Sequence, residues 1–202
     1  MKTGSLVLDS DAVRSLPPFK IVVIGASAGG LAALGILLAR LATDFPVPIA
    51  VVQHLDPHRQ SQLADILSRR TTLIVKEAVD ADAMAKGTVY IAPPGHHLLI
   101  SRGCVATLTE TARVHFVRPS VDRLFESAAD SCGPAIAVVL TGTGADGAGG
   151  LAAIKRTGGI TIAQNLASFP GMPQSAIDTG LIDFILPLED IGARLSELTR
   201  WS

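Results

Sequence analysis

Aromatic side chains are scarce in this chain: six Phe, one Tyr and one Trp among 202 residues. A core without them must be filled by Ala, Val, Ile and Leu. The 48% apolar content, with only 17% charged residues, supplies that filling and excludes disorder. Neither sign of charge is in excess, with 17 Lys and Arg against 18 Asp and Glu. A protein devoted to phosphate backbone carries a basic surplus, so nucleic acid is not expected as a partner. Cysteine is nearly missing. Cys104 and Cys132 are too few for a disulfide framework and lack metal-ligand spacing, so they are expected to be two reduced thiols of a cytoplasmic protein.

Long apolar runs are missing too, despite a mean hydropathy of +0.42. The longest, residues 31–42, is cut by Arg40 and falls short of the ~20 residues a span requires, so no membrane insertion is expected. The opening MKTGSLVLDSDAVRS has no contiguous apolar region or cleavage site, unlike a signal peptide. Residues 1–19, closing on Pro17-Pro18, are expected to be a leader or linker remnant. Residues 20–202 are expected to be one domain, long enough to bury a sizeable core.

What the chain does contain is an alternation of short β-branched runs with helical periodicity. Strands are expected at 20–24, 48–52, 73–76, 135–140, 160–163 and 182–185. Helices are expected at 30–41, 61–70, 120–131 with Ser120 as N-cap, 147–157, 173–179 and 188–198. Between 87 and 108 the segments TVYIAPPG, HLLISRG and CVATLT read instead as short strands joined by Gly and Pro turns. Continuously apolar strands joined by helices imply a doubly wound α/β fold with a mostly parallel, three-layer sheet, to which the 87–108 stretch adds an antiparallel hairpin.

Ligands of open α/β sheets bind beyond the carboxyl ends of the strands, and three such ends carry polar residues here. Ser27 lies in GASAGG (25–30), His54 in VVQH (51–54) and Asp146 in TGTGADG (141–147). A hydroxyl, an imidazole and a carboxylate are the parts of an activated serine nucleophile. Residues 25–29 match the G-x-S-x-G nucleophile elbow, and equally a glycine turn that binds phosphate at a helix N-terminus. Neither GxGxxG spacing nor GxxxxGK[ST] occurs, and Gln53-His54 stand where a dinucleotide binder would carry a ribose-holding acid. The order Ser27, His54, Asp146 also differs from the Ser, Asp, His of α/β-hydrolases, so a hydrolase reading requires another scaffold.

Each candidate has an ordinary structural reading. His54 is a base or a packed strand-end residue, and Asp146 an orienting carboxylate or the N-cap of the helix after it. Asp122 reads as a first-turn partner of a helix dipole, and Asp56, before Pro57, as a turn former. Pro57 between His54 and His58 disfavours a zinc pair on one helix, and no HExxH occurs, so no metal is expected. Arg113, Arg118 and Arg123, with His115 and Phe116, are a solvated loop or a docking edge for an acidic protein.

The motifs GASAGG (25–30), Gln53-His54, YIAPPG (90–95), RPSVD (118–122), LTG (140–142) with GADG (144–147), AQN (163–165) and PGMP (170–173) stand in the order found in chemotaxis protein-glutamate methylesterases. From about residue 20 to the last helix the chain resembles the catalytic domain of this CheB-type family. The resemblance implies hydrolysis of γ-glutamyl methyl esters on the cytoplasmic helices of chemoreceptors, releasing methanol, together with deamidation of certain glutamines. It places the nucleophile on Ser27, the base on His54 and the orienting carboxylate on Asp146, with no cofactor, and it implies the same doubly wound fold. The oxyanion is expected to meet N–H groups of Ala28 or Gly29 and of the Thr143–Gly144 loop. Ala28 and Thr143 stand where many relatives have Thr and Met, which leaves these N–H groups intact. Members of the family usually carry an N-terminal receiver domain. With 19 residues ahead of the domain, the chain is expected to be either a fragment or a standalone enzyme, with a separate receiver protein as a candidate partner. The alternatives are a noncatalytic nucleotide- or phosphate-binding module and a degenerate homologue that docks on receptors.

Overall fold

The computed structural model describes residues 18–55 and 61–200. The expected leader falls almost wholly outside this range, as do the turn at Asp56 and the placement of His58.

The chain runs β1 (Ile21–Ala26), α1 (Gly30–Leu38), β2 (Ile49–Gln53), α2 (Leu63–Ser68), β3 (Ile74–Glu77), β4 (Thr88–Ile91), β5 (His97–Ser101), β6 (Val105–Thr109), α3 (Val121–Cys132), β7 (Ala135–Val139), α4 (Leu151–Arg156), β8 (Ile160–Asn165), α5 (Gly171–Asp178), β9 (Phe184–Pro187) and α6 (Leu188–Leu198). Seven strands form one sheet in the order β3-β4-β2-β1-β7-β8-β9, every pairing in it parallel. β5 and β6 form a separate antiparallel hairpin, as the change of pattern predicts.

β1 shows why its sequence is apolar throughout. All six of its residues are buried, and their side chains alternate between two cores. Val22, Ile24 and Ala26 pack with Leu34, Leu37 and Leu38 of α1 and with Ile191 and Leu195 of α6. Ile21 and Val23 face the other way, toward Leu124 and Phe125 of α3, Ile154 of α4 and Met172 of α5. Truncating one such aliphatic side chain to Ala costs about 2–5 kcal/mol.

Two of the differences from the sequence expectations have local causes, and a third comes from long-range packing. α4 begins at Leu151 and not at 147, because Gly147 (φ 102°) and the glycines at 149 and 150 favour a loop ahead of it. α5 begins at Gly171 and carries Pro173 in its first turn, where a missing N–H costs nothing. Cys104 and Cys132, expected as free thiols, form a disulfide, with Cα atoms 5.5 Å apart across 28 residues of sequence. The hairpin packs against α3, bringing the start of β6 to the end of that helix, a proximity that sequence spacing does not reveal.

Candidate active site

The sheet reverses its winding beside β1: β2 and β4 extend one way, β7, β8 and β9 the other. Loops leaving the carboxyl ends of β1 and β7 therefore part and open a crevice, the usual ligand site of such sheets. Ser27 follows β1, His54 follows β2, and Asp146 follows β7, so all three open on that edge. Backbone bonds hold the loops in register. Ser27 N–H donates to the Thr141 carbonyl at 3.0 Å, and His54 N–H to the Ala26 carbonyl at 3.0 Å.

Gly25 and Gly142 are required by close approach. A Cβ at 25 would lie 2.3 Å from Val121 Cγ1, and one at 142 would lie 2.3 Å from Met172 Sδ and 2.7 Å from Ser27 Cβ. Gly29, at φ 78°, turns the chain from Ser27 into α1.

The structure brings two of the three candidates into direct contact. His54 Nε2 and Asp146 Oδ2 are 2.8 Å apart, with side chains 14% and 4% exposed. Because a carboxylate only accepts, Nε2 carries the hydrogen and Nδ1 is left as the basic nitrogen. Ser27, half-buried on the adjacent strand end, makes no side-chain hydrogen bond among the described residues. Such contacts are often long before substrate binds.

Asp146 is held by the start of α3. Its Oδ1 accepts from Ser120 Oγ (2.9 Å) and Asp122 N–H (3.0 Å), and its Oδ2 from Val121 N–H (2.7 Å) as well as from His54. Burial works to raise this carboxyl, but the hydrogen bonds from His54, Val121 and Asp122 outweigh it and hold it below the ordinary carboxylate range. The carboxylate thus caps α3, not the following helix as one sequence reading had it. Asp122 does the converse. Its Oδ1 accepts from Gly147 N–H (2.9 Å) and Gly150 N–H (2.8 Å), fixing the loop that carries Asp146. Burial and the charge of Asp146 push Asp122 upward. Buried and bonded in this way, it is more than a first-turn dipole partner.

The expected oxyanion donors lie around the same crevice. Ala28 is half-buried, while Gly29, Thr143 and Gly144 are exposed. Among the described residues none of their N–H groups has a backbone or side-chain acceptor. Thr141 Oγ1 donates to the Ala28 carbonyl at 3.0 Å, so the 28–29 peptide is fixed from the loop after β7. Two depressions flank the site. A cleft of about 670 Å³ runs from Ser27 past Leu31, Leu55, Leu63 and Ile66 to Arg70, and a smaller one of about 90 Å³ lies at His54 beneath Arg113, Phe116 and Arg118. Arg118 is a loop staple, donating to the Glu110 and Thr111 carbonyls, and Arg123 pairs with Glu126. Of the basic stretch, Arg113, His115 and Phe116 are exposed, and Arg113 and Phe116 line the His54 depression. Among the described residues no cluster of three or more His, Cys, Asp or Glu could hold a metal, and no helix is long and apolar enough to cross a membrane.

Sequence reasoning gave Gln53 and His97 no role in the site. Gln53 ends β2 and its Nε2 donates to the Ser27 carbonyl (2.8 Å) and the His54 carbonyl (3.0 Å). A buried amide at a strand's carboxyl end, next to a candidate base, was the available signal. His97, fully buried in β5, bonds the Ala112 carbonyl through Nε2 (3.1 Å) and accepts Ser120 N–H on Nδ1 (3.2 Å), so it supports the residue that holds Asp146.

Known proteins resemble this chain over most of its length. Residues 22–195 match the CheB methylesterase family model. The chain is 41% identical to protein-glutamate methylesterase/protein-glutamine glutaminase 6 of Anaeromyxobacter dehalogenans, over 99% of itself and 59% of that protein. It is 39% identical to a putative protein-glutamate methylesterase/protein-glutamine glutaminase of Leptospira interrogans, over 86% of itself and 91% of that protein. With the Anaeromyxobacter relatives numbered 6 and 2 it spans 59% and 54% of their lengths, a little over half. The crystal structure of the Thermotoga maritima CheB methylesterase catalytic domain superposes with a TM-score of 0.86 at 40% identity, covering 90% of this chain and all of that one. A matching fold, a family model spanning nearly the whole sheet and relatives at this identity leave one assignment: the chain belongs to the CheB methylesterase family.

Proposed function

We propose that residues 20–202 are a serine esterase domain that hydrolyses γ-glutamyl methyl esters on chemoreceptor helices and deamidates glutamine there. The observation that carries the proposal is the part-buried His54–Asp146 hydrogen bond beside Ser27, in a chain whose relatives are named methylesterases. Ser27 Oγ attacks the ester carbonyl while His54 Nδ1 takes its proton. Nε2 stays bonded to Asp146, whose negative charge balances the imidazolium. The tetrahedral oxyanion is met by N–H groups of Ala28 or Gly29 and of Thr143 or Gly144. Collapse passes the proton to departing methanol, and water then hydrolyses the acyl-enzyme by the same route, giving glutamate. A glutamine side chain would release ammonia in place of methanol.

The surface suits a helix carrying apolar and acidic side chains. Phe116 is 92% exposed at φ 67° and Leu166 is 89% exposed at φ 52°, both on loops at the carboxyl edge of the sheet. Arg113 supplies positive charge beside Phe116 at the His54 depression. The proposed partners are the cytoplasmic part of a methyl-accepting chemoreceptor as substrate and a phosphoacceptor receiver as regulator, which places the reaction in the cytoplasm.

A fluorophosphonate probe tests the nucleophile. Covalent mass is expected on the peptide containing Ser27, absent in Ser27→Ala and reduced in His54→Ala. A wild-type protein left unlabelled but stabilised against heat by a nucleotide would favour the phosphate-binding module instead.

A further inference from the structure

Gln53 closes β2 between the two loops that carry Ser27 and His54. It is 5% exposed, and its Nε2 reaches the carbonyls of both residues. The Ser27 carbonyl also accepts Gly30 N–H at 2.9 Å, so two donors pin that one oxygen. In a trans peptide the N–H points opposite to the C=O. A Ser27 carbonyl drawn inward toward Gln53 and Gly30 therefore turns the Ala28 N–H outward, and that N–H has no acceptor among the described residues.

The amide has one useful orientation. Reversing it would aim Oε1 at two carbonyl oxygens, whereas the observed pose leaves Oε1 buried without a hydrogen-bond partner. Gly30 keeps that pose possible. A Cβ there would lie 1.9 Å from Gln53 Oε1 and 2.9 Å from its Cδ, so any other residue at 30 must displace the amide. Gly30 thereby has a role that helix formation alone does not give it.

We propose that Gln53 is a positioning residue for the reaction: by pinning the Ser27 carbonyl it aims the Ala28 N–H at the oxyanion, and by holding the His54 carbonyl it keeps the base in step with the nucleophile turn. The inference rests on Ser27 acting as the nucleophile. Gln53→Met keeps the length without the donor, Gln53→Glu sets a carboxylate against two carbonyls, and Gly30→Ala displaces the amide without altering it.

The full chain and the three variants are assayed with a glutamyl methyl-ester peptide, alongside melting curves. A misaimed oxyanion donor lowers kcat by roughly 10- to 100-fold and leaves KM nearly unchanged. A peptide aldehyde that mimics the tetrahedral species is expected to bind more weakly by a similar factor, while the hydrolysed peptide binds as before. Gly30→Ala combined with Gln53→Met is expected to lose no more than the worse single variant. The inference is overturned if Gln53→Met keeps wild-type kcat, if the loss lies in KM, if aldehyde and product weaken alike, or if the two losses multiply. Should Gln53→Met fail to fold, Gly30→Ala and Gln53→Glu carry the same readouts. Turnover by Ser27→Ala would instead overturn the nucleophile assignment, whereas an inactive Ser27→Ala beside a fully active Gln53→Met would overturn this inference alone.

Discussion

Replacing Asp146 by Asn removes a charge from the site while keeping its shape. The carboxylate accepts four hydrogen bonds, two on each oxygen. In the better Asn pose the remaining oxygen faces His54 and Val121, and Ser120 Oγ rotates to accept from the new NH2. One buried donor, Asp122 N–H, is then left facing another donor. An unsatisfied buried N–H costs about 1–3 kcal/mol, which for a chain of this size lowers Tm by roughly 2–4 °C per kcal/mol. Activity falls further than stability. At an effective dielectric of about 20, a unit charge some 4 Å from the imidazolium is worth about 4 kcal/mol, or roughly 10³ in kcat. The assay is methyl-ester hydrolysis under saturation, with calorimetry on the same samples. An Asp146→Asn enzyme that melts lower yet keeps kcat within tenfold of wild type would show that Asp146 caps α3 and does nothing for the ring, refuting the triad.

Other outcomes follow from the same geometry. Burial holds the His97 imidazole below its ordinary value of about 6.5, so the folded protein binds fewer protons than the unfolded chain just below that pH. Stability present above pH ~6.5 is therefore lost as pH falls toward the folded value, and His97→Gln should flatten that part of a Tm-against-pH curve; an unchanged slope would contradict it. Gly142→Ala drives a methyl toward Met172 and the Cβ of Ser27, and is expected to lower the rate of fluorophosphonate labelling at least tenfold; labelling at the wild-type rate would show that the loop yields without moving the nucleophile. Phe116→Ala should raise KM for a helical protein substrate several-fold and leave hydrolysis of a small activated ester unaltered; equal effects on both would remove Phe116 from substrate binding.

Much of the architecture was legible in sequence because it is local. The runs at β2 and β7 are apolar and β-branched in a way only a strand buried on both faces requires, and Ser120 precedes its helix as an N-cap should. The three candidate residues were found because Ser27 and His54 directly follow strands and Asp146 lies in the glycine-rich loop after β7, and the topology puts strand ends on one edge. What escaped is long-range. Asp122 and Asp146 exchange caps across 24 residues, a reciprocity with no signature in either loop alone. Gln53 acts on a carbonyl 26 residues away, and the Cys104–Cys132 pairing depends on how the hairpin lies on α3. β9 begins at Phe184, two residues after the expected start of that strand, because Leu181 and Ile182 pack against the core on the α3 side while Phe184 joins the opposite one.

The most direct test of the central claim is methanol release from receptor membranes methylated on glutamate, comparing the wild-type chain with Ser27→Ala at equal concentration. The wild type is expected to release methanol in step with loss of ester, and Ser27→Ala to release none above the blank. Equal release by both proteins would contradict the assignment of Ser27 as the nucleophile, and with it the mechanism built on His54 and Asp146.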